Sequence, residues 1–136
     1  MRLALALVTV AATSVGLMLA VVSNASDAGG PLHVTADPTG KLKFTPTTLS
    51  AKAGKITFTF TNHSTTVHNL AIRRGPKCTL DTRCAALSNL DVDSTDAFIK
   101  GSRTLTVNLK PGTYVFFCGV PGHEAGGMQG TLTVSR

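Results

Sequence analysis

The chain has 136 residues, 43% of them hydrophobic, with 13 lysines and arginines against 7 acidic residues and a formal net charge of +6. That length fits one domain, and a second, catalytic one is not expected. The basic residues Lys41, Lys43, Lys52, Lys55, Arg73, Arg74, Lys77 and Arg83 are dispersed rather than arrayed on a helix, which argues against nucleic acid as a partner. An acidic protein or an anionic membrane surface fits such scatter better, and plain solvation is its default meaning.

Met1-Arg2 followed by Leu3 to Val22 without a charge is a short basic start and a long apolar stretch, and Ser23-Asn24-Ala25 offers small residues for cleavage. Residues 1–25 therefore read as an export signal cut after Ala25. About 20 apolar residues also suffice to cross a bilayer, so an uncleaved membrane tether through residues 3–22 is the alternative. Loss of 1–25 removes Arg2 and no acid, leaving 12 basic against 7 acidic residues, a charge of +5. Residues 26–31 form a small-residue linker to a domain spanning 32–136.

From Leu32 onward short alternating segments are separated by Gly and Pro. The spacing predicts strands at Lys55 to Thr61, Val67 to Arg73, Arg103 to Leu109, Thr113 to Cys118 and Gly130 to Ser135. Weaker strand patterns cover His33 to Asp37, Lys41 to Phe44 and Thr48 to Ala53. Turns are expected at Asp37-Pro38-Thr39-Gly40, Ala53-Gly54-Lys55 and Lys110-Pro111-Gly112. Seven or so short strands of this kind imply an all-β, antiparallel β-sandwich.

Pro76 to Ile99 lacks clean alternation and is long for a connection. It reads as a functional excursion or a short helical turn, pinned if Cys78 and Cys84 form a disulfide, as two cysteines of an exported chain would; separate thiols are the alternative. Asp91, Asp93 and Asp96 lack the glycine turn and bidentate glutamate of a calcium loop and read as a solvated acidic stretch. Cys118 is the odd cysteine, and metal ligation explains why it would stay unpaired.

Cys118, His123 and Met128 lie at five-residue intervals on a loop rich in Gly and Pro. A thiolate and an imidazole are strong copper ligands, a thioether a weak one, and a second imidazole would complete a trigonal base with a long axial contact. Alternation places His68 on the inward face with Leu70 and Ile72, and Cys118 on that of Tyr114 and Phe116. Gly119, Pro121, Gly122, Gly126 and Gly127 allow the loop to return His123 and Met128 to the same pole. His33 and His63 are left as surface or hydrogen-bonded residues.

The segments Phe58-Thr-Phe-Thr-Asn62, Val67-His-Asn-Leu-Ala-Ile72, Pro111-Gly-Thr-Tyr-Val-Phe-Phe-Cys118 and Val120-Pro-Gly-His123 through Met128-Gln-Gly130 resemble the plastocyanin and azurin group of cupredoxins, over roughly Lys43 to Val134. The resemblance implies a Greek-key sandwich holding one type 1 copper, with His68, Cys118 and His123 as equatorial ligands and Met128 as the axial one. Asn69 matches the family's residue that ties the two ligand segments together. The Cys-to-His interval is closer to azurin and auracyanin types and the His-to-Met interval to plastocyanin, so the subfamily stays open. The Cys78 to Cys84 element has no place in the plastocyanin pattern. A binuclear site would need a second cysteine between Cys118 and His123, and Gly119 to Gly122 contains none.

A monomeric, exported one-electron carrier without enzymatic activity is the function this resemblance implies. Redox partners, acidic ones among them, would dock near His123 on the patch of Val120, Pro121 and Ala125. The rival is a periplasmic copper-binding or copper-delivery protein, but such carriers favour open sites rich in Met and His, and two of the three methionines here lie in the export segment. An accessory sandwich that stabilises a larger redox complex is the third reading.

Overall fold

The computed structural model describes residues 30–79 and 84–136. The export or anchor segment read at 1–25 and most of the 26–31 linker lie outside the described residues. Among these residues nine strands build two sheets: β1 (Leu32–Ala36), β2 (Phe44–Thr45), β3 (Thr48–Lys52), β4 (Gly54–Asn62), β5 (Ala71–Arg74), β6 (Asp91–Ser94), β7 (Gly101–Leu109), β8 (Gly112–Phe117) and β9 (Gln129–Ser135). One sheet has the order β2-β1-β4-β7 and the other β3-β9-β8-β5-β6. Among the described residues no helix is long and apolar enough to cross a membrane.

The expected all-β sandwich is present, and its pairing is mixed. β1 runs parallel to β4 and β3 parallel to β9, whereas the other pairs are antiparallel. The chain passes from one sheet to the other between β2 and β3, β3 and β4, β4 and β5, β6 and β7, and β7 and β8. Strands that arrive by such crossovers are not bound to the antiparallel geometry that a tight hairpin imposes.

Alternation explains the core. Ile56, Phe58 and Phe60 of β4, Leu105, Val107 and Leu109 of β7, and Tyr114 and Phe116 of β8 are buried between the sheets. Phe44 meets Phe60 edge-on with centroids 5.6 Å apart, and Phe60 meets Phe98 at 5.4 Å, so an aromatic file runs toward the pole where His68 lies. Offset and edge-on ring pairs of this kind add about 0.5–1.5 kcal/mol each beyond area burial.

Gly130 of β9 lies directly opposite Phe116 of β8, and a Cβ there would overlap the far edge of that fully buried ring. Phe116 is also packed against Phe44, so it has little room to move. Gly130→Ala is expected to cost about 1–3 kcal/mol, the usual penalty for overpacking a filled core. A urea unfolding midpoint equal to that of the wild type would show that the ring can yield.

The segment expected as a strand from Val67 to Arg73 is strand only from Ala71. Its first half is held by a single bridge between His68 and Phe98, with both backbone hydrogen bonds made, at 3.1 and 2.9 Å. Buried Asn62 organises the turn before it: its amide donates to the carbonyls of Thr66 and Phe98, both at 2.9 Å, and its carbonyl accepts from the backbone and hydroxyl of Ser64. A turn pinned at four points delivers His68 in one place.

The Pro76 to Ile99 excursion contains a 3-10 helix over Cys84–Leu90 and then the edge strand β6. Cys78 and Cys84 form a disulfide with Cα atoms 5.3 Å apart. Asp91, Asp93 and Asp96 are exposed, as a solvated acidic stretch should be.

Candidate metal centre

Three donor atoms meet at one pole. His68 Nδ1 lies 3.2 Å from His123 Nδ1, and the Cys118 sulfur lies 3.8 Å from the first and 3.5 Å from the second. A point equidistant from the three is about 2.0 Å from each, against roughly 2.0–2.1 Å for first-row metal–imidazole bonds and 2.3 Å for metal–thiolate bonds. The triangle therefore has the size of a metal's trigonal base. Among the described residues the other close trio of ligand types is Cys78, Cys84 and Glu124, and its two sulfurs are consumed by the disulfide.

The fourth residue is on the same loop. Met128 is fully buried, and its backbone bridges the others: its N–H donates to the His123 carbonyl and its carbonyl accepts from the Cys118 N–H, each at 3.0 Å. Gly127, at φ +108°, makes the reversal between the two bonded residues in a conformation that L side chains rarely adopt. His68, Cys118 and Met128 are shut off from solvent, and His123 alone is half-exposed.

Asn69 joins the two ligand segments. Its side-chain oxygen accepts from Gly119 N–H at 2.6 Å, next to Cys118, and its amide donates to the Thr95 carbonyl at 3.4 Å. This is the link that the resemblance implied for Asn69. The sandwich thus brings His68, Cys118, His123 and Met128 to one pole, while His33 and His63 are exposed on other segments.

Burial sets the protonation of the metal-free site. It pushes the Cys118 thiol above its ordinary 9.0, with the N–H groups of Asn69 and Val120 pulling the other way. It pushes His68 below its ordinary 6.5, helped by the nearby His123. At neutral pH the donors are thus a neutral imidazole with a free lone pair and a thiol that must lose its proton when a metal binds.

Sequence reasoning missed a second layer. Arg73, counted above among scattered surface cations, is 1% exposed and ion-paired with buried Glu124, the residue after His123. Gln129, the residue after Met128, bonds to the backbone of Cys78. The only sequence signal was a lone carboxylate in a glycine-rich loop, which says nothing about its partner.

A two-sheet sandwich that gathers one thiol, two imidazoles and a buried methionine at one pole defines a mononuclear soft-metal protein of the cupredoxin class. The chain belongs to the plastocyanin/azurin family of copper binding proteins, whose model matches residues 32–135, and copper is the cofactor of that family. It is similar to dithionite-reduced auracyanin from the photosynthetic bacterium Roseiflexus castenholzii, at 28% identity over 80% of this chain and 99% of that one, with a TM-score of 0.65. Auracyanin B matches at 27% identity over 78% of this chain and 88% of its own, TM-score 0.66. Reduced rusticyanin matches at 25% over 79% and 81%, TM-score 0.61. No curated protein matches the chain in sequence.

Proposed function

We propose that the chain is an exported one-electron carrier in which His68, Cys118, His123 and Met128 would hold one copper ion. The observation that carries this reading is the prebuilt donor triangle, in which two ligands are buried and one, His123, reaches half-way to solvent. Copper bound there would supply a reversible one-electron couple. A buried set of one thiolate, two imidazoles and a thioether compromises between the preferences of Cu(I) and Cu(II), so little needs to move on reduction. Burial of His68, Cys118 and Met128 away from solvent favours transfer over catalysis.

His123 is the group through which electrons would pass, since it alone approaches the surface. Around it lie Val120, Pro121 and Ala125, and Leu42 packs against Gly126 with exposed Lys41 and Lys43 on either side. A small apolar face with a basic rim suits brief docking of an acidic redox protein. The Cys78–Cys84 disulfide is consistent with an oxidising, extracytoplasmic compartment.

The test is electron self-exchange set against copper release. Copper-loaded residues 26–136 should bleach reversibly with a mild reductant, exchange electrons rapidly in mixed oxidised and reduced samples, and hold copper against a competing chelator. Slow exchange with ready loss of copper to the chelator would sink the shuttle reading in favour of copper delivery.

Metal uptake has a predicted pH dependence. The Cys118 thiol is raised and so protonated at neutral pH, while His68 is lowered and so already unprotonated. Binding should therefore release the Cys118 proton, and apparent Cu(II) affinity should climb about tenfold per pH unit between pH 7 and the thiol pKa. Calorimetric titration in two buffers of different ionisation enthalpy counts that proton, and a count of zero would place the thiol outside the metal's coordination.

A further inference from the structure

The loop from Cys118 to Gln129 hydrogen-bonds largely to itself. Among its backbone bonds are His123 N–H to Val120, Gly126 to Gly122, Gly127 to Glu124, Met128 to His123 and Cys118 to Met128. Asn69 anchors its entry at Gly119. Its far end is anchored by side chains outside the donor set, and they attach it to the start of the Pro76 to Ile99 excursion, beside the disulfide.

Two polar links make this attachment. The Gln129 amide pairs with both backbone groups of Cys78, accepting from its N–H at 3.1 Å and donating to its carbonyl, as a neighbouring strand would, and it also donates to the Glu124 carbonyl at 3.3 Å. Arg73 grips both carboxylate oxygens of Glu124, donates to the Pro76 carbonyl at 3.2 Å, and stacks its guanidinium 4.4 Å above the Phe117 ring. Phe117 precedes Cys118, Glu124 follows His123 and Gln129 follows Met128. Every loop ligand thus has an adjacent residue held in the attachment, and consecutive Cα atoms are about 3.8 Å apart, so fixing one nearly fixes the other.

The geometry points to Glu124 and Gln129 as positioning residues: gripped by Arg73 and by the Cys78 backbone, they clamp the ligand loop to the disulfide-closed excursion and set the geometry in which Cys118, His123 and Met128 meet the metal. This rests on the copper reading of the site. A buried ion pair adds little dependable net stability, and a bidentate pair beside a ligand restricts orientation as well as distance. The disulfide makes the anchor firm by closing the excursion on itself six residues on from Cys78.

Gln129→Met keeps side-chain length at a half-buried position and removes both Cys78 bonds. Arg73→Met with Glu124→Met removes the ion pair without leaving an orphaned charge. In the metal-free protein each should speed amide exchange at Gly126, Gly127 and Met128 by roughly tenfold while the global unfolding midpoint moves little. In the Cu(II) protein each should shift the thiolate-to-copper band and the reduction potential. Gln129→Glu, which turns the donor aimed at the Cys78 and Glu124 carbonyls into a carboxylate oxygen, should loosen the loop at least as much as Gln129→Met. Exchange, band and potential all unchanged in both variants would overturn the clamp. A wild-type protein that binds Cu(II) without the band would instead overturn the copper reading, and the metal-free exchange rates would still decide the clamp.

Discussion

Cys118→Ala should abolish the intense visible absorption of the Cu(II) protein while leaving the metal-free fold intact. The band requires a thiolate bonded to the metal, and Cys118 is the only cysteine outside the Cys78–Cys84 disulfide. Its sulfur forms two sides of the donor triangle, 3.8 Å from His68 and 3.5 Å from His123, so its removal leaves two imidazoles and a weak thioether. Copper affinity should fall by more than the roughly 10–100-fold that loss of a hydrogen-bond partner behind a ligand typically costs. The folded state loses one small buried group, a change expected near 1 kcal/mol. Absorption spectra of both proteins titrated with Cu(II), with urea unfolding of the metal-free forms, separate the two effects. A band that survives in Cys118→Ala would remove the thiolate from the site.

Glu124→Ala should be the most destabilising single change at the ligand loop, at about 3–5 kcal/mol, because it leaves a guanidinium buried without its counter-charge. Arg73 is 1% exposed, and among the described residues the Pro76 carbonyl, the Phe117 ring and the more distant Asp91 carboxylate are left to meet it. Against a total stability of about 5–15 kcal/mol, that loss would unfold a large share of molecules on mild warming. Removing both partners should recover most of it, since apolar side chains of similar volume suit a site whose neighbours include Phe117. Urea unfolding of Glu124→Ala and of the paired Met variant gives the comparison. A cost below about 1 kcal/mol for Glu124→Ala would mean that water reaches the guanidinium as easily as it reaches a surface pair.

The two predictions differ in how they could have been foreseen. Cys118 declared itself in the sequence, because an unpaired cysteine, a histidine and a methionine at equal intervals on a glycine-rich loop carry their chemistry locally. Arg73 did not. It lies on the outer face of β5, next in line to inward Ile72, and alternation correctly sends it away from the core. Its burial comes from the excursion, whose Cys84, Ser88 and Asp91 line a recess with Arg73, Phe117 and Glu124. The same cover buries Ala71, Val115 and Phe117 as a second apolar cluster on that face.

His68 lies between these cases. Its inward direction followed from the apolar stripe of Leu70 and Ile72, and the structure buries all three. The segment before Ala71 is nevertheless no continuous strand. It is held by Asn62 and the Phe98 bridge, which reach Phe98 from 36 and 30 residues away, and propensity within a short window cannot register a partner so far away.

By itself the sequence determined the fold class, most strand positions, the ligand types and their loop, since alternation, turn residues and donor chemistry are properties of neighbouring residues. Only the tertiary structure decided that two pairings are parallel, that His68 closes to within 3.8 Å of two donors 50 and 55 residues away, and that Arg73, Glu124 and Gln129 bind the ligand loop to the disulfide excursion. Those outcomes depend on which surfaces cover one another, and burial belongs to the pair of surfaces rather than to either stretch of chain.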